Sequence, residues 1–206
     1  MNDQYYTQDP TSESKPVPCA FPYRGHGLNF MTDAGVFSKQ HVDPGSELLC
    51  KALPDTLGTR VLDMGCGWGA MTIMTLARFP KAEVTMADVN ERALALAVSN
   101  VEKNHMQATA ILSDGFEKIE GEFDAVITNP PIRAGKAVIY KMFEDAKEHL
   151  VPGGALYLVI RKQQGAESCV KYLKTLYNEV EKLDKSAGFW VLKASEPKEA
   201  GREADE

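Results

Sequence analysis

From Thr59 onward the chain repeats one pattern, a short apolar strand followed by a helical stretch, and few folds accommodate it. "RVLDMG" leads into "AMTIMTLARF", "EVTMAD" leads into "ERALALAVSNVEKN", and "ATAILS" follows. "DAVITN" then leads into "KAVIYKMFEDAKEHL", and "ALYLVIRK" into "AESCVKYLKTLY". Repeated β-α units predict an α/β fold with a mostly parallel sheet and helices on both faces. "VEKLDKS", a turn near Ala187-Gly188 and "FWVLKAS" close the pattern as an antiparallel C-terminal hairpin at one edge. In such a sheet ligands bind beyond the carboxyl ends of the strands. Those ends read Asp63-Met64-Gly65, Ala87-Asp88, Ser113-Asp114 and Thr128-Asn129.

The chain of 206 residues suits one domain. A domain of that size buries about 70% of its unfolded surface, so it needs no disulfide or metal staple. The polar, proline-punctuated start is read as a flexible N-terminal arm over residues 1–23. Within "GLNFMTDAGVFS", Leu28, Phe30 and Phe37 are apolar anchors around a turn, and "DPGSELLCKAL" predicts a short helix from about Asp43 to Leu53. The domain proper is assigned to residues 24–194. Residues 195–206, with five acids and two bases, are assigned to a disordered acidic tail.

Several functions are disfavoured by composition. The four cysteines form no CxxC pair and the four histidines no HxxxH pair, so no metal site is expected. The longest apolar runs fall short of the roughly 18 residues a membrane helix needs. The first residues carry no basic start or apolar stretch of a secretory signal, so no membrane association and a cytoplasmic location are expected. A net charge of -6 argues against nonspecific coating of nucleic acid, yet it is compatible with a local basic patch.

"VLDMGCGWGA" places Gly65, Gly67 and Gly69 between the first strand of the repeat and its helix. Glycines there permit positive φ and a close approach of backbone N–H groups to a ligand. Because Ala70 completes a G-x-G-x-x-A pattern, the loop alone also fits a dinucleotide site. Asp63 discriminates between the two readings. A carboxylate beside a pyrophosphate is repelled, whereas it attracts a ligand bearing an ammonium and a sulfonium, as S-adenosylmethionine does. Asp88 at the next strand end can accept from ribose hydroxyls, and Asp114 can accept from an adenine amino group. Each acid taken singly also reads as a helix cap or a solvated loop residue. Three on successive strand ends, with the glycine loop, favour the ligand.

These residues resemble the class I S-adenosylmethionine-dependent methyltransferases, whose Rossmann-like fold has a seven-stranded sheet with an antiparallel last strand. "NPP" after the fourth strand marks the branch of that family that methylates amino groups. "TDAGVFS", "DMGCGWG", "ADVN" and "TNPPIRAGK" together look like the small-subunit (16S) rRNA guanine-N2 methyltransferases and their short single-domain relatives. The larger members carry an additional N-terminal half that has no counterpart in this sequence. The resemblance implies S-adenosylmethionine as cofactor and ribosomal RNA or a small ribosomal subunit as partner. It assigns the cofactor to Asp63, Gly65, Cys66, Gly67, Gly69, Asp88, Val89, Asp114 and Asn129.

The expected catalytic set is Asn129, Pro130 and Pro131, which without the cofactor signature would read as a simple turn after a strand. An exocyclic base amine is a poor nucleophile because its lone pair is delocalised into the ring. Two acceptors aimed at its N–H groups favour a pyramidal nitrogen and stabilise the charge it gains. The Asn129 oxygen and the Pro130 carbonyl would supply them, with the fixed φ of proline limiting drift. Candidate substrate residues are Phe37, Ile132, Arg133 and Lys136. Isoleucine at position 132 can pack on a base without π-stacking, so Phe37 is read either as the stacking residue or as core. Arg133 and Lys136, which also read as a solvated turn, lie where they can meet RNA phosphates. An amine of protein glutamine or DNA adenine satisfies the same motif, and a non-catalytic cofactor-binding module is the remaining alternative.

Overall fold

A computed structural model describes residues 15–33 and 41–199. An N-terminal hairpin, β1 (Val17–Tyr23) and β2 (His26–Thr32), precedes helix α1 (Pro44–Ala52). The repeat then runs β3 (Arg60–Met64), α2 (Ala70–Arg78), β4 (Glu83–Asp88), α3 (Glu91–Lys103) and β5 (Thr109–Leu112). It continues with β6 (Phe123–Thr128), α4 (Lys136–Glu148), β7 (Leu150–Arg161) and α5 (Ala166–Leu176). Strands β8 (Tyr177–Ser186) and β9 (Phe189–Pro197) end it.

Seven strands form one sheet in the order β5-β4-β3-β6-β7-β9-β8. Strands β3 to β7 pair in parallel, and β9 inserts antiparallel between β7 and β8. The central strands are buried on both faces, which is why β3 and β6 are nearly continuous apolar runs rather than alternating ones. Val61, Val84 and Ile127 face a core shared with Leu49 of α1, Ile73 of α2 and Ala97 of α3. Leu62, Val126 and Leu156 face the other core, with Phe143 of α4 and Leu173 of α5. From β3 the chain moves outward to β4 and β5, then returns to the opposite side for β6 and β7. That reversal opens a crevice at the carboxyl ends of β3 and its neighbours, the place where open α/β sheets bind ligands.

The structure moves both ends of the domain assigned from the sequence. Residues 17–23, placed in the flexible arm, are strand β1, paired with β2 from Val17–Thr32 to Tyr23–His26. Pro18 and Pro22 disguise it, since a proline is compatible with a strand that sits at a sheet edge. Tyr23 is buried and its hydroxyl donates to the Cys50 carbonyl at 3.3 Å, which ties the hairpin to α1. At the other end β9 runs through Pro197, so Ser195 to Pro197 belong to a strand rather than to the acidic tail. Ser195 is buried and pairs with Ala155 and Glu179, an interior position that its polarity conceals. The assignments made for residues 1–14 and 200–206, and for Phe37, lie outside the described residues. Among the described residues no helix is long and apolar enough to cross a membrane.

Candidate active site

The loop from β3 to α2 is shaped by three glycines with positive φ: Gly65 at 73°, Gly67 at 55° and Gly69 at 90°. Gly65 and Cys66 donate their N–H groups to the Ala87 carbonyl at 2.8 and 3.0 Å, folding the loop against the end of β4. A Cβ at Gly65 or Gly67 would meet nothing within 4 Å, so what these positions require is the left-handed backbone, and they leave open surface beside it. Gly69 differs. A Cβ there would lie 3.1 Å from that of Ala97, so glycine lets the start of α2 pack on α3. Cys66 is buried, and burial pushes its thiol well above the usual range, which makes it a packing group rather than a nucleophile.

Asp63 is fully buried. Its Oδ2 accepts from the Thr72 hydroxyl of α2 at 2.7 Å, while Oδ1 has no hydrogen-bond partner. Desolvation pushes its carboxyl up from 3.8 to about 7; the Thr72 hydrogen bond opposes the rise and nearby Asp88 adds to it. A buried acceptor left unpaired is costly. A cationic group arriving at the loop would remove that cost. Asp88 is half-buried and accepts from Gly67 N at 2.8 Å through Oδ2 and from Asn90 N at 2.8 Å through Oδ1. Each of its oxygens keeps lone-pair capacity for a further donor. Burial raises its pKa, and the hydrogen bonds from Asn90 and Gly67 hold it down. Val89 beside it is half-buried, and Asp114, past the end of β5, is exposed.

Register sets these groups in a row. Asp63 lies opposite Met86 on one side and Ile127 on the other, and Asp88 lies opposite Leu112. Asn129, two residues past Ile127, and Gly65, two past Asp63, both follow the carboxyl ends of neighbouring parallel strands. An orphaned carboxylate oxygen, two glycines with open surface and a carboxylate with spare lone pairs fit S-adenosylmethionine. They would face its ammonium, its backbone-contacting edge and its ribose in turn.

Asn129 ends β6, whose last residue is tied to β3 by a Thr128 hydroxyl bond to the Met64 carbonyl at 2.8 Å. Its Nδ2 donates to Asp43 Oδ2 and to Ser46 Oγ, both at 3.0 Å. The reverse orientation would set the amide oxygen against the Asp43 carboxylate, so the amide has one sensible setting, with Oδ1 turned away from α1. The Pro131 carbonyl accepts from Ala134 N at 2.8 Å in a 3-10 turn over Ile132–Ala134. Ile132 is half-buried against the α4 and α5 side of the core, while Arg133 and Lys136 are exposed. Arg161 and Lys162, at the end of β7, are exposed on the same rim, and the Arg161 guanidinium lies 4.5 Å above the Phe189 ring.

Five residues at this site escape a reading of the sequence for strand ends: Asp43, Ser46, Thr72, Asn90 and Asn100. Asn100 is buried on α3; it exchanges hydrogen bonds with both Met31 N and Met31 O and donates to the Trp68 carbonyl at 2.9 Å. One helix turn on, Asn104 pairs in the same way with the N–H and carbonyl of Asn29. The two asparagines at i and i+4 thus hold β2 against α3, and Asn100 extends the bracing to the glycine loop. Their spacing is the only signal of this in the sequence.

A family model described as "Methyltransferase small domain" matches residues 27–193. The chain is 39% identical over 199 residues to the uncharacterized protein YbxB of Bacillus subtilis (strain 168), covering 94% of this chain and 98% of that one. It is 39% identical over 129 residues to ribosomal RNA small subunit methyltransferase C of Pasteurella multocida (strain Pm70). That match covers 61% of this chain and only 39% of the larger protein. Among solved structures it superposes on the T. thermophilus 16S rRNA N2 methyltransferase RsmC, in complex with AdoMet and guanosine, with a TM-score of 0.78 and 29% identity. The superposition covers 91% of this chain and 52% of RsmC.

Proposed function

Given that the chain belongs to the methyltransferase small domain family and is an S-adenosylmethionine-dependent methyltransferase, we propose that it methylates guanine N2 of small-subunit ribosomal RNA. One observation carries the choice of an amino group as acceptor. Asn129 follows β6 on the rim that carries the glycine loop after β3, and its amide nitrogen is engaged by Asp43 and Ser46, so its oxygen is the end left for a substrate. The preference for ribosomal guanine is supported by the likeness to RsmC and to the small subunit methyltransferases C.

Bound S-adenosylmethionine supplies an electrophilic methyl group on a sulfonium. Asp63, Gly65, Cys66, Gly67 and Gly69 hold the amino-acid end of the cofactor, whose ammonium the buried Asp63 carboxylate attracts by its charge. Asp88 and Val89 hold the ribose region and Asp114 the base. Asn129 Oδ1 and the Pro130 carbonyl each accept one N–H of the guanine amine. They fix the nitrogen in place and stabilise the positive charge it gains as its lone pair is used. Pro130 rather than Pro131 has this role, because the Pro131 carbonyl already closes the 3-10 turn. Arg133 and Lys136 meet the RNA backbone, and Ile132 packs near the base.

Transfer of labelled methyl groups to naked 16S rRNA, 30S subunits and 70S ribosomes, followed by nucleoside analysis, tests the reading. The expected product is N2-methylguanosine. Label recovered in N6-methyladenosine or in methylglutamine would replace guanine with another amine, and no transfer to any of them would leave a binding module.

A further inference from the structure

We propose that Asp43 and Ser46 at the start of α1 are positioning residues for methyl transfer, holding and polarising the Asn129 amide from behind. The inference rests on the amino-methyltransferase reading above and adds residues that no motif of that reading contains.

The contacts form one small network. Asp43 is the N-cap of α1, and its Oδ2 accepts both from Ser46 N, at 3.0 Å, and from Asn129 Nδ2. Ser46, buried one turn into the helix, accepts the second amide hydrogen on its hydroxyl. Carbonyl Asp43 O accepts from Glu47 N at 3.0 Å, so the cap residue is fixed at main chain and side chain alike. Gly45 between them admits no larger residue. A Cβ there would stand 2.8 Å from Phe189 Cε1 and 2.9 Å from Asp43 Oδ2. The helix start is thereby wedged between β9 and the end of β6.

Two consequences follow for Asn129. With both N–H groups engaged, the side chain cannot rotate or flip, and an amide that flipped would offer a substrate amine a donor where it needs an acceptor. A negative charge on the nitrogen side also favours the amide resonance form with negative oxygen, so Oδ1 becomes a stronger acceptor for an amine that is turning cationic. Free asparagine offers neither effect. Binding of cofactor or RNA gains little from either one, because the network lies on the far side of the amide.

The double variant Asp43→Ser/Ser46→Ala removes the network while leaving the helix capped, since serine is also a favourable N-cap. Single-turnover methyl transfer to deproteinised 16S rRNA should slow by roughly 10- to 100-fold. Dissociation constants for S-adenosylmethionine and RNA should stay within about twofold. In an Asn129→Ala background the same two changes should cost nothing further, a non-additivity that a merely structural role would not produce. A readout independent of activity is the side-chain amide of Asn129 in nitrogen-15 spectra, identified by its loss in Asn129→Ala. Its hydrogens should exchange with solvent at least about tenfold faster in the double variant. Ser46→Ala alone, mild in the first turn of a helix, covers the case of a double variant that fails to fold, and it should show part of each effect. Unchanged amide exchange, a wild-type rate in folded Ser46→Ala and double variants, or full additivity with Asn129→Ala would overturn the proposal. If Asn129→Ala itself transfers methyl groups at the wild-type rate, the catalytic reading of Asn129 fails and the positioning role fails with it. A slow Asn129→Ala beside a fast double variant removes only the positioning role.

Discussion

The two halves of the sheet's carboxyl rim are built on opposite chemical principles. On the β3-β4-β5 side the residues are acidic, and two of them, Asp63 and Asp88, have carboxyls raised by burial. On the β6-β7 side the exposed side chains are basic: Arg133, Lys136, Arg161 and Lys162. A single ligand would not call for both. A cationic small molecule suits the acids at these strand ends, Asp63 fully buried and Asp88 half-buried, which disfavour an anion by charge. A polyanion suits the exposed bases, which cost little to keep solvated. Asn129 stands at the boundary, neutral, with its amide nitrogen bound to Asp43 and Ser46 and its oxygen assigned by the proposal to substrate. The contrast teaches that, on the proposed function, the reaction centre falls where an acidic crevice meets a basic surface.

The contrast breaks most decisively at the boundary itself. Asn129→Ala should lower the single-turnover rate by roughly 10²- to 10³-fold, the usual effect of removing one pre-organised hydrogen-bonding group. Cofactor affinity should fall far less. Calorimetry that shows cofactor and rate lost together would move Asn129 into the acidic half.

Next in size is the acidic half alone. Asp88→Ala should weaken S-adenosylmethionine by about 30- to 150-fold, equivalent to roughly 2–3 kcal/mol from charge-assisted hydrogen bonds. Because Asp88 also braces Gly67 and Asn90, the folded state of the variant must be checked by its melting curve. Unaltered affinity in a folded variant would end the ribose assignment.

Asp63 makes the acidic half sensitive to pH. Its folded-state value of about 7 lies above the ordinary 3.8, so the native protein binds a proton more readily than the unfolded chain does. Stability of the cofactor-free protein should accordingly fall as pH rises from about 4 to about 7 and then level off. Cofactor affinity should run the other way. An ammonium pairs with the ionised acid, so affinity should drop by up to about tenfold per unit as pH falls below about 7. Both slopes should vanish in Asp63→Asn. Parallel rather than opposite trends would show that Asp63 does not face the cofactor's charge.

Much of this arrangement was legible because strand ends carry their own signal: an apolar run stopped by Gly, Asp or Asn. The parallel order and the terminal hairpin followed from the same pattern, aided by the Ala187-Gly188 turn, whose φ values are 49° and 80°. The N-terminal hairpin has an equivalent turn at Arg24-Gly25, with φ of 48° and 84°, yet it was missed. Its two prolines read as a loop because the pairing that tolerates them, at an edge, is a tertiary fact. Asp43 illustrates the same limit. As the start of a short helix it was visible, but its bond to Asn129 spans 86 positions and no local pattern encodes that contact. Thr72 and Asn100 are hidden likewise, polar residues inside helices whose partners come from other elements.

The smallest expected effect belongs to the basic half. Arg133→Ala combined with Lys136→Ala removes two exposed cations, one within the 3-10 turn and the other the first residue of α4. Two lost phosphate contacts should weaken RNA binding by only a modest factor at moderate salt, since each is a solvent-screened contact. The diagnostic quantity is the slope of log affinity against log salt, which should become shallower by about 1.4 to 1.8. S-adenosylmethionine affinity should not change, and the single-turnover rate at saturating RNA should stay near that of the wild type. Equal losses at every salt concentration would mean that the two residues read the base or support the turn, and the basic half would then lose its role as a phosphate surface. A changed salt slope with an unchanged saturated rate would separate binding on β6-β7 from chemistry at Asn129, within a span of eight residues from 129 to 136.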